Sequence, residues 1–116
     1  MQYHPKAEGK QADIPLPSPG NNAFMRDIFT SDAPEGKKIT AGFYRQEAGE
    51  ELEFVYEFDE MKIIIEVEGE LTLTDETGLV VSAKPGDVFY FPKGSKVVFK
   101  STGYGLGFFT GLRDAL

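Results

Sequence analysis

A chain of 116 residues with 19 acidic and 12 basic side chains, net charge −7, fits one domain and is too short for an eight-stranded α/β barrel or a two-domain dehydrogenase. The acidic balance disfavours non-specific binding to nucleic acid or anionic membranes. The lack of cysteine excludes disulfides, thiolate zinc sites and cysteine nucleophiles, and the single histidine, His4, excludes any site that needs two imidazoles.

No apolar run approaches the roughly 20 residues of a membrane helix. Met1-Gln2-Tyr3-His4-Pro5-Lys6 has no apolar stretch behind it, so a signal peptide is not expected and the chain reads as a cytoplasmic domain. Residues 1–22 hold His4, four of the seven prolines (Pro5, Pro15, Pro17, Pro19) and the turn signal Gly20-Asn21-Asn22. Proline removes backbone donors and blocks helix, so this segment reads as an arm before a folded unit at 23–116, with His4 solvated. Ile14-Pro15-Leu16 is a short run suited to a sheet edge. Ala23 to Thr30 carries Phe24, Met25, Ile28 and Phe29 and docks on the domain. A helical turn is expected only near Ala23–Ile28 or Leu112–Ala115. Ser31 to Lys38, with Pro34 and Gly36, reads as a turn.

From Ile39 onward the pattern is β. Ile39 to Tyr44 is one strand. Leu52 to Phe58 is another, with Leu52, Phe54, Tyr56 and Phe58 on one face and Glu51, Glu53 and Glu57 on the other. Glu60 to Glu68 alternates Met61, Ile63, Ile65 and Val67 against Glu60, Lys62, Ile64, Glu66 and Glu68. This period of two argues strand over helix. Glu70 to Thr74, Leu79 to Ala83, Val88 to Phe91, Lys96 to Lys100 and Tyr104 to Thr110 follow, separated by Asp75-Glu76-Thr77-Gly78, Pro85-Gly86-Asp87 and Pro92-Lys93-Gly94 turns. Short strands at this even spacing predict an all-β sandwich or barrel.

Gly86-Asp87-Val88-Phe89-Tyr90-Phe91-Pro92-Lys93-Gly94 resembles the second motif of the cupin superfamily through both glycines and the proline. The motif's His position is then Val97 and its Asn position Ser101. The first motif has two readings. Counted from Gly49, its His positions fall on Val55 and Glu57, its Glu on Lys62 and its closing glycine on Gly69. A looser reading places Glu60 at the family Glu and Phe54 and Tyr56 at the His positions. Both turn Glu60, Lys62 and Ile64 inward and leave Met61, Ile63, Ile65 and Val67 as an outer apolar stripe. With Phe58-Asp59-Glu60-Met61-Lys62, these phrases are most similar to small EutQ-type cupins across residues 39–110. The resemblance implies a single small cupin jelly-roll β-barrel.

Cupins normally hold metal with three histidines and a glutamate, and none of those histidines exists here, so no tightly bound transition metal and no cofactor is expected. Glu53, Glu57 or Glu60 could hold Mn or Mg; the plainer reading makes them a solvated strand face. Tyr56, Glu60, Lys62 and Tyr90 are the candidate acid/base residues at the barrel mouth. Phe54, Phe58, Val97 and Phe99 are the candidate apolar walls. A purely structural reading makes Glu60 and Lys62 an ion pair filling the barrel and Tyr56 core. An open cavity containing Lys62 favours binding or catalysis; a plug of Phe54 and Phe58 favours structure.

Gly103-Tyr104-Gly105-Leu106-Gly107 lacks the strand–helix context of a dinucleotide fingerprint, so its glycines point to close packing or a bulge. Lys93, Lys96 and Lys100 read as protection of a sheet edge. The expected function is that of a small-molecule-binding cupin without the histidine metal centre, acting as a lyase or isomerase on a small polar metabolite. A non-catalytic accessory protein of amine catabolism and a carboxylate-bound metal enzyme are the alternatives. The outer stripe implies a homodimer, with the arm crossing between subunits; neither nucleic acid nor membrane is an expected partner.

Overall fold

The alternation from Ile39 onward is realised as two antiparallel sheets, one of which Ile14–Pro15 and Ala23–Thr30 also join. The computed structural model describes residues 1–6, 12–17 and 19–116. Among these residues it contains ten strands: β1 (Ile14–Pro15), β2 (Ala23–Thr30), β3 (Thr40–Glu47), β4 (Leu52–Val55), β5 (Glu60–Glu68), β6 (Leu71–Asp75), β7 (Val80–Ser82), β8 (Val88–Phe91), β9 (Lys96–Ser101) and β10 (Tyr104–Gly111). One sheet runs β1-β2-β3-β10-β5-β8 and the other β4-β9-β6-β7. From β3 onward the chain changes sheet at every connection but β6–β7, which is the jelly-roll path. The sheets face each other as a sandwich and are not joined into one closed hydrogen-bonded barrel. Tyr44, Tyr56, Ile64, Phe91, Phe99 and Phe109 belong to the core between them. No described helix is long and apolar enough to cross a membrane.

Gly86 and Gly94 take the left-handed conformations (φ 94° and 97°) that the motif glycines require. The Gly94 N–H donates to the Tyr56 carbonyl at 2.7 Å, and the Tyr56 N–H donates to the Ser95 carbonyl at 2.8 Å. These two bonds fix Tyr56 beyond the end of β4, which stops at Val55 rather than running to Phe58.

Four expectations change. Ala23 to Thr30 is a strand, not a helical turn. It pairs with β3 from Ala23↔Gln46 to Thr30↔Thr40, with a bulge between Asp27 and Phe29. Gly42 permits that close approach, since an added Cβ there would lie 2.1 Å from the Arg26 carbonyl oxygen. Leu112 to Ala115 forms no helical turn.

The stripe on β5 breaks at Ile65. Gly107 pairs with Ile64 and Leu106 with Glu66, so Ile65 is the extra residue of a bulge. Parity inverts beyond it, and Val67 packs against the core instead of facing outward.

The third change concerns the lysines. β9 is an inner strand between β4 and β6, so Lys96 and Lys100 protect no edge. Lys96 pairs with Glu53 of β4 at 2.8 Å, and Lys100 borders a polar depression with Glu50, Glu51 and Glu53. Lastly, His4 is half-buried, edge-on to Phe29 at 6.2 Å between ring centres.

Ile14 and Pro15 do lie on the sheet edge, paired with Met25 and Phe24. The glycines before and within β10 pack closely: a Cβ at Gly105 would lie 2.5 Å from a Leu71 methyl.

Candidate functional site

The inward face of β5 carries two charged side chains into the core. Glu60 is 6% exposed and Lys62 is 4% exposed. Room for Lys62 comes from β10. Its register brings Phe109 beside Lys62 and Gly107 beside Ile64, and the missing side chain at 107 leaves space for the lysine stem. The ammonium lies 4.2 Å from the centre of the Tyr44 ring, 4.7 Å from Phe99 and 5.4 Å from Phe91. Such ring faces attract a cation that has lost its water.

Glu60 joins two donors at one oxygen. The Tyr56 hydroxyl donates to Glu60 Oε2 at 2.9 Å, and Lys62 Nζ lies 3.5 Å from the same atom. Tyr56 stacks on Phe91 with ring centres 4.7 Å apart and planes within 5°. The Tyr44 hydroxyl donates to Gln46 Oε1. Among the described residues no acceptor reaches the buried Gln46 Nε2.

Burial pushes the Lys62 ammonium below its usual pKa, although the Glu60 carboxylate and its hydrogen bond pull the other way. Burial, then the charge of Glu60, pushes the Tyr56 and Tyr44 phenols well above their usual range. The site therefore holds a phenol that stays protonated and an amine that gives up its proton more readily than a surface lysine, with a carboxylate between them.

These groups border a cavity of about 240 Å³. Phe54, Phe58, Phe99, Phe109 and Met25 supply apolar walls, and Leu16, Pro17, Arg113 and Leu116 complete the lining. Arg113 is held by a two-point pair with Asp27, at 2.7 and 2.9 Å, and lies 5.5 Å from the Phe58 ring centre. Burial works to raise the Asp27 pKa, but the Arg113 and Leu116 N–H hydrogen bonds and the Arg113 charge together hold it below its usual value.

Tyr56, Glu60 and Lys62 thus come together, with Phe54, Phe58 and Phe99 around the same space. Phe54 and Phe58 line the cavity and do not plug it. Tyr90 and Val97 lie elsewhere. β8 pairs Met61↔Tyr90 and Glu60↔Phe91, so Tyr90 shares the outer face with Met61 and is 55% exposed, while Phe91 points inward. Val97 is buried beside a separate small depression with Leu73 and Pro92. Tyr44, Gln46, Phe91, Phe109, Asp27 and Arg113 were not anticipated. The alternation Gly42, Tyr44, Gln46 along β3 was the available signal for two of them.

The geometry selects the looser reading of the first motif: Phe54, Tyr56 and Glu60 face the cavity, whereas Val55 and Glu57 are exposed. Glu53, Glu57 and Glu60 cannot form one carboxylate site, because the first two face solvent and Glu60 faces the core. Among the described residues no three His, Asp or Glu side chains converge as metal ligands. The cavity does not fit the cupin metal centre either. Among the described residues Glu60 is the one acidic side chain that lines it and is engaged by Tyr56 and Lys62, and Phe54 and Tyr56 hold two of the three positions that the resemblance gives to histidine.

Over residues 7–110 the chain matches the ethanolamine utilisation protein EutQ family. Its structure is similar to that of the Clostridium difficile EutQ protein, with a TM-score of 0.73 at 22% identity, covering 92% of this chain and 83% of that one. It is similar to an ectoine synthase from P. lautus, with a TM-score of 0.73 at 15% identity, covering 97% and 78%. It is also similar to a cupin domain from Bordetella pertussis Tohama I, with a TM-score of 0.59 at 14% identity, covering 80% and 95%. No curated protein matches.

Proposed function

The chain belongs to the EutQ family, within the cupin superfamily, and from that premise we propose that it binds a small polar metabolite over Glu60 and Lys62 and moves a proton on it, as a lyase or isomerase does. The observation that carries this reading is the Tyr56–Glu60–Lys62 chain, at 2.9 and 3.5 Å, bordering a cavity with apolar walls. Two titratable groups whose surroundings alter their proton affinity in a cleft are what acid/base chemistry requires. Lys62 Nζ passes its proton to Glu60 and serves as the base. The Tyr56 hydroxyl stays protonated and remains the donor that steadies an oxygen. The cavity is smaller than the roughly 300 Å³ at which drug-sized sites begin, which points to a small metabolite.

The family's description as an ethanolamine utilisation protein directs the search to small molecules of amine breakdown. Such compounds are screened by thermal shift against the wild type, Lys62→Met and Tyr56→Phe, with turnover followed by proton NMR. One class of compound should raise the melting temperature of the wild type and not that of Lys62→Met, and should be converted. Binding without conversion would establish the non-catalytic accessory role instead. Equal shifts in the wild type and Lys62→Met would overturn binding over Lys62 and the proton transfer proposed for it.

A further inference from the structure

We propose that Lys62 is a carbonyl-capturing amine: its Nζ forms an imine with a small, uncharged aldehyde or ketone held in the cavity. This rests on the ligand-binding reading above and names the substrate class of that site.

Lysine attacks a carbonyl only as the free amine, and desolvation in an apolar pocket is one route to that form. Among the described lysines Lys62 alone is buried; the others are exposed or half-buried. Its Nζ lies among the Tyr44, Phe99 and Phe91 rings, in a space walled by Phe54, Phe58 and Phe109. Such walls suit a neutral carbonyl compound and penalise a second unpaired charge. Glu60 Oε2, at 3.5 Å, is the proton acceptor, and the Tyr56 hydroxyl is bonded to that same oxygen. Imine formation needs such a shuttle, because protons must leave nitrogen and reach oxygen during the reaction.

The steps balance without any oxidant or reductant. Glu60 takes a proton from Nζ. The nitrogen lone pair attacks the carbonyl carbon, a C–N bond forms, and the carbonyl π pair moves to oxygen, which receives the proton back from Glu60. The carbinolamine nitrogen then gives its added proton to Glu60. Glu60 returns it to the hydroxyl, the C–O bond breaks, water leaves and C=N forms. One carbonyl compound and one amine give one imine and one water. Protonated, the imine draws electrons from the neighbouring carbon, which is what lyase or isomerase chemistry there would use.

The test uses the intact wild-type protein. It is incubated with substoichiometric butanal and cyanoborohydride at neutral pH, digested, and mapped by mass spectrometry. A lowered proton affinity leaves more free amine at neutral pH, so Lys62 should carry the label first, ahead of the exposed lysines. Glu60→Gln removes the charge that holds the ammonium proton but also the only proton shuttle among the cavity-lining acids described, and loss of the shuttle should outweigh the freer amine, slowing labelling of Lys62 and leaving the surface lysines unchanged. Binding of the unreactive butan-1-ol is followed separately by ligand-detected NMR. If butan-1-ol occupies the cavity while label spreads over surface lysines and spares Lys62, the imine proposal falls and the ligand-binding reading stands. If butan-1-ol does not bind and Lys62 is spared, both fall.

Discussion

Gly107 and Lys62 lie against each other across β10 and β5, so closely that an added Cβ at 107 would sit 3.2 Å from Lys62 Cγ and 3.3 Å from Cδ. The same Cβ would lie 3.3 Å from the Ile63 carbonyl oxygen, which is backbone and cannot swing aside. The lysine stem would have to yield, within a core that leaves it little room. Gly107→Ala should therefore destabilise by about 1–3 kcal/mol through overpacking and shift Nζ away from Glu60. A thermal melt and a ligand titration check this; an unchanged melt with intact binding would show that the stem adapts freely.

Lys62→Met keeps the unbranched apolar stem to within one atom and removes its charge. It should leave a cooperative melt and abolish ligand binding. Unchanged binding would assign Lys62 to the structural ion pair. The pH dependence has a definite sign. The folded-state pKa of Lys62 lies below the 10.5 of an unperturbed lysine, so between the two the unfolded chain binds more protons. Stability of the wild type relative to Lys62→Met should rise with pH across that window. The high phenol pKa values of Tyr44 and Tyr56 act oppositely above pH 10.0, but they are common to both proteins and largely cancel in the difference. A flat difference would mean that Glu60 keeps Lys62 charged as firmly as water does.

Much of this was legible in the residues. The period-two pattern of Glu60 to Ile64 put both charged side chains inside, and the glycines and proline at 86–94 marked a cupin turn. Three features were not. The Ile65 bulge is a matter of pairing between strands, so the outward reading of Val67 followed a parity that the partner strand alters. Tyr90 looked inward because it is next to the motif turn, yet the register Met61↔Tyr90 sends it out. The lysines of β9 looked like edge protection because strand order in a sheet is not written in chain order.

Asp27 and Arg113 tie β2 to the segment after β10, with side-chain exposures of 14% and 9%. The Asp27 pKa is depressed below 3.8. Its contribution is complete above pH 3.8 and is lost as pH falls through the folded value. Asp27→Asn should cost about 2 kcal/mol at neutral pH, the scale of a charged hydrogen-bonded pair, and should lose less stability on acidification than the wild type. Parallel denaturant curves at pH 7 and pH 3 test it. If both proteins lost stability equally on acidification, the pair would not be a source of acid sensitivity. Because Arg113 borders the cavity beside Phe58, the same variant should also weaken ligand binding.

The outer face of the larger sheet carries two apolar rows set by strand register. Phe43, Phe108, Ile63 and Val88 align across β3, β10, β5 and β8, and Ala41, Thr110, Met61 and Tyr90 align beside them. Met61, Ile63, Val88, Tyr90 and Phe108 are all exposed, and the rows run to the free edge at β8. A contiguous patch of large apolar side chains marks an interaction surface, because water penalises its exposure in a lone subunit. The occupant we propose is a second copy of the chain. A symmetric contact would place the same rows against each other, so each substitution counts twice. Ile63→Glu with Val88→Glu should convert a dimer at micromolar concentration into a folded monomer, read by light scattering and a retained melt. A wild type that scattered as a 12.8 kDa species at that concentration would refute the dimer.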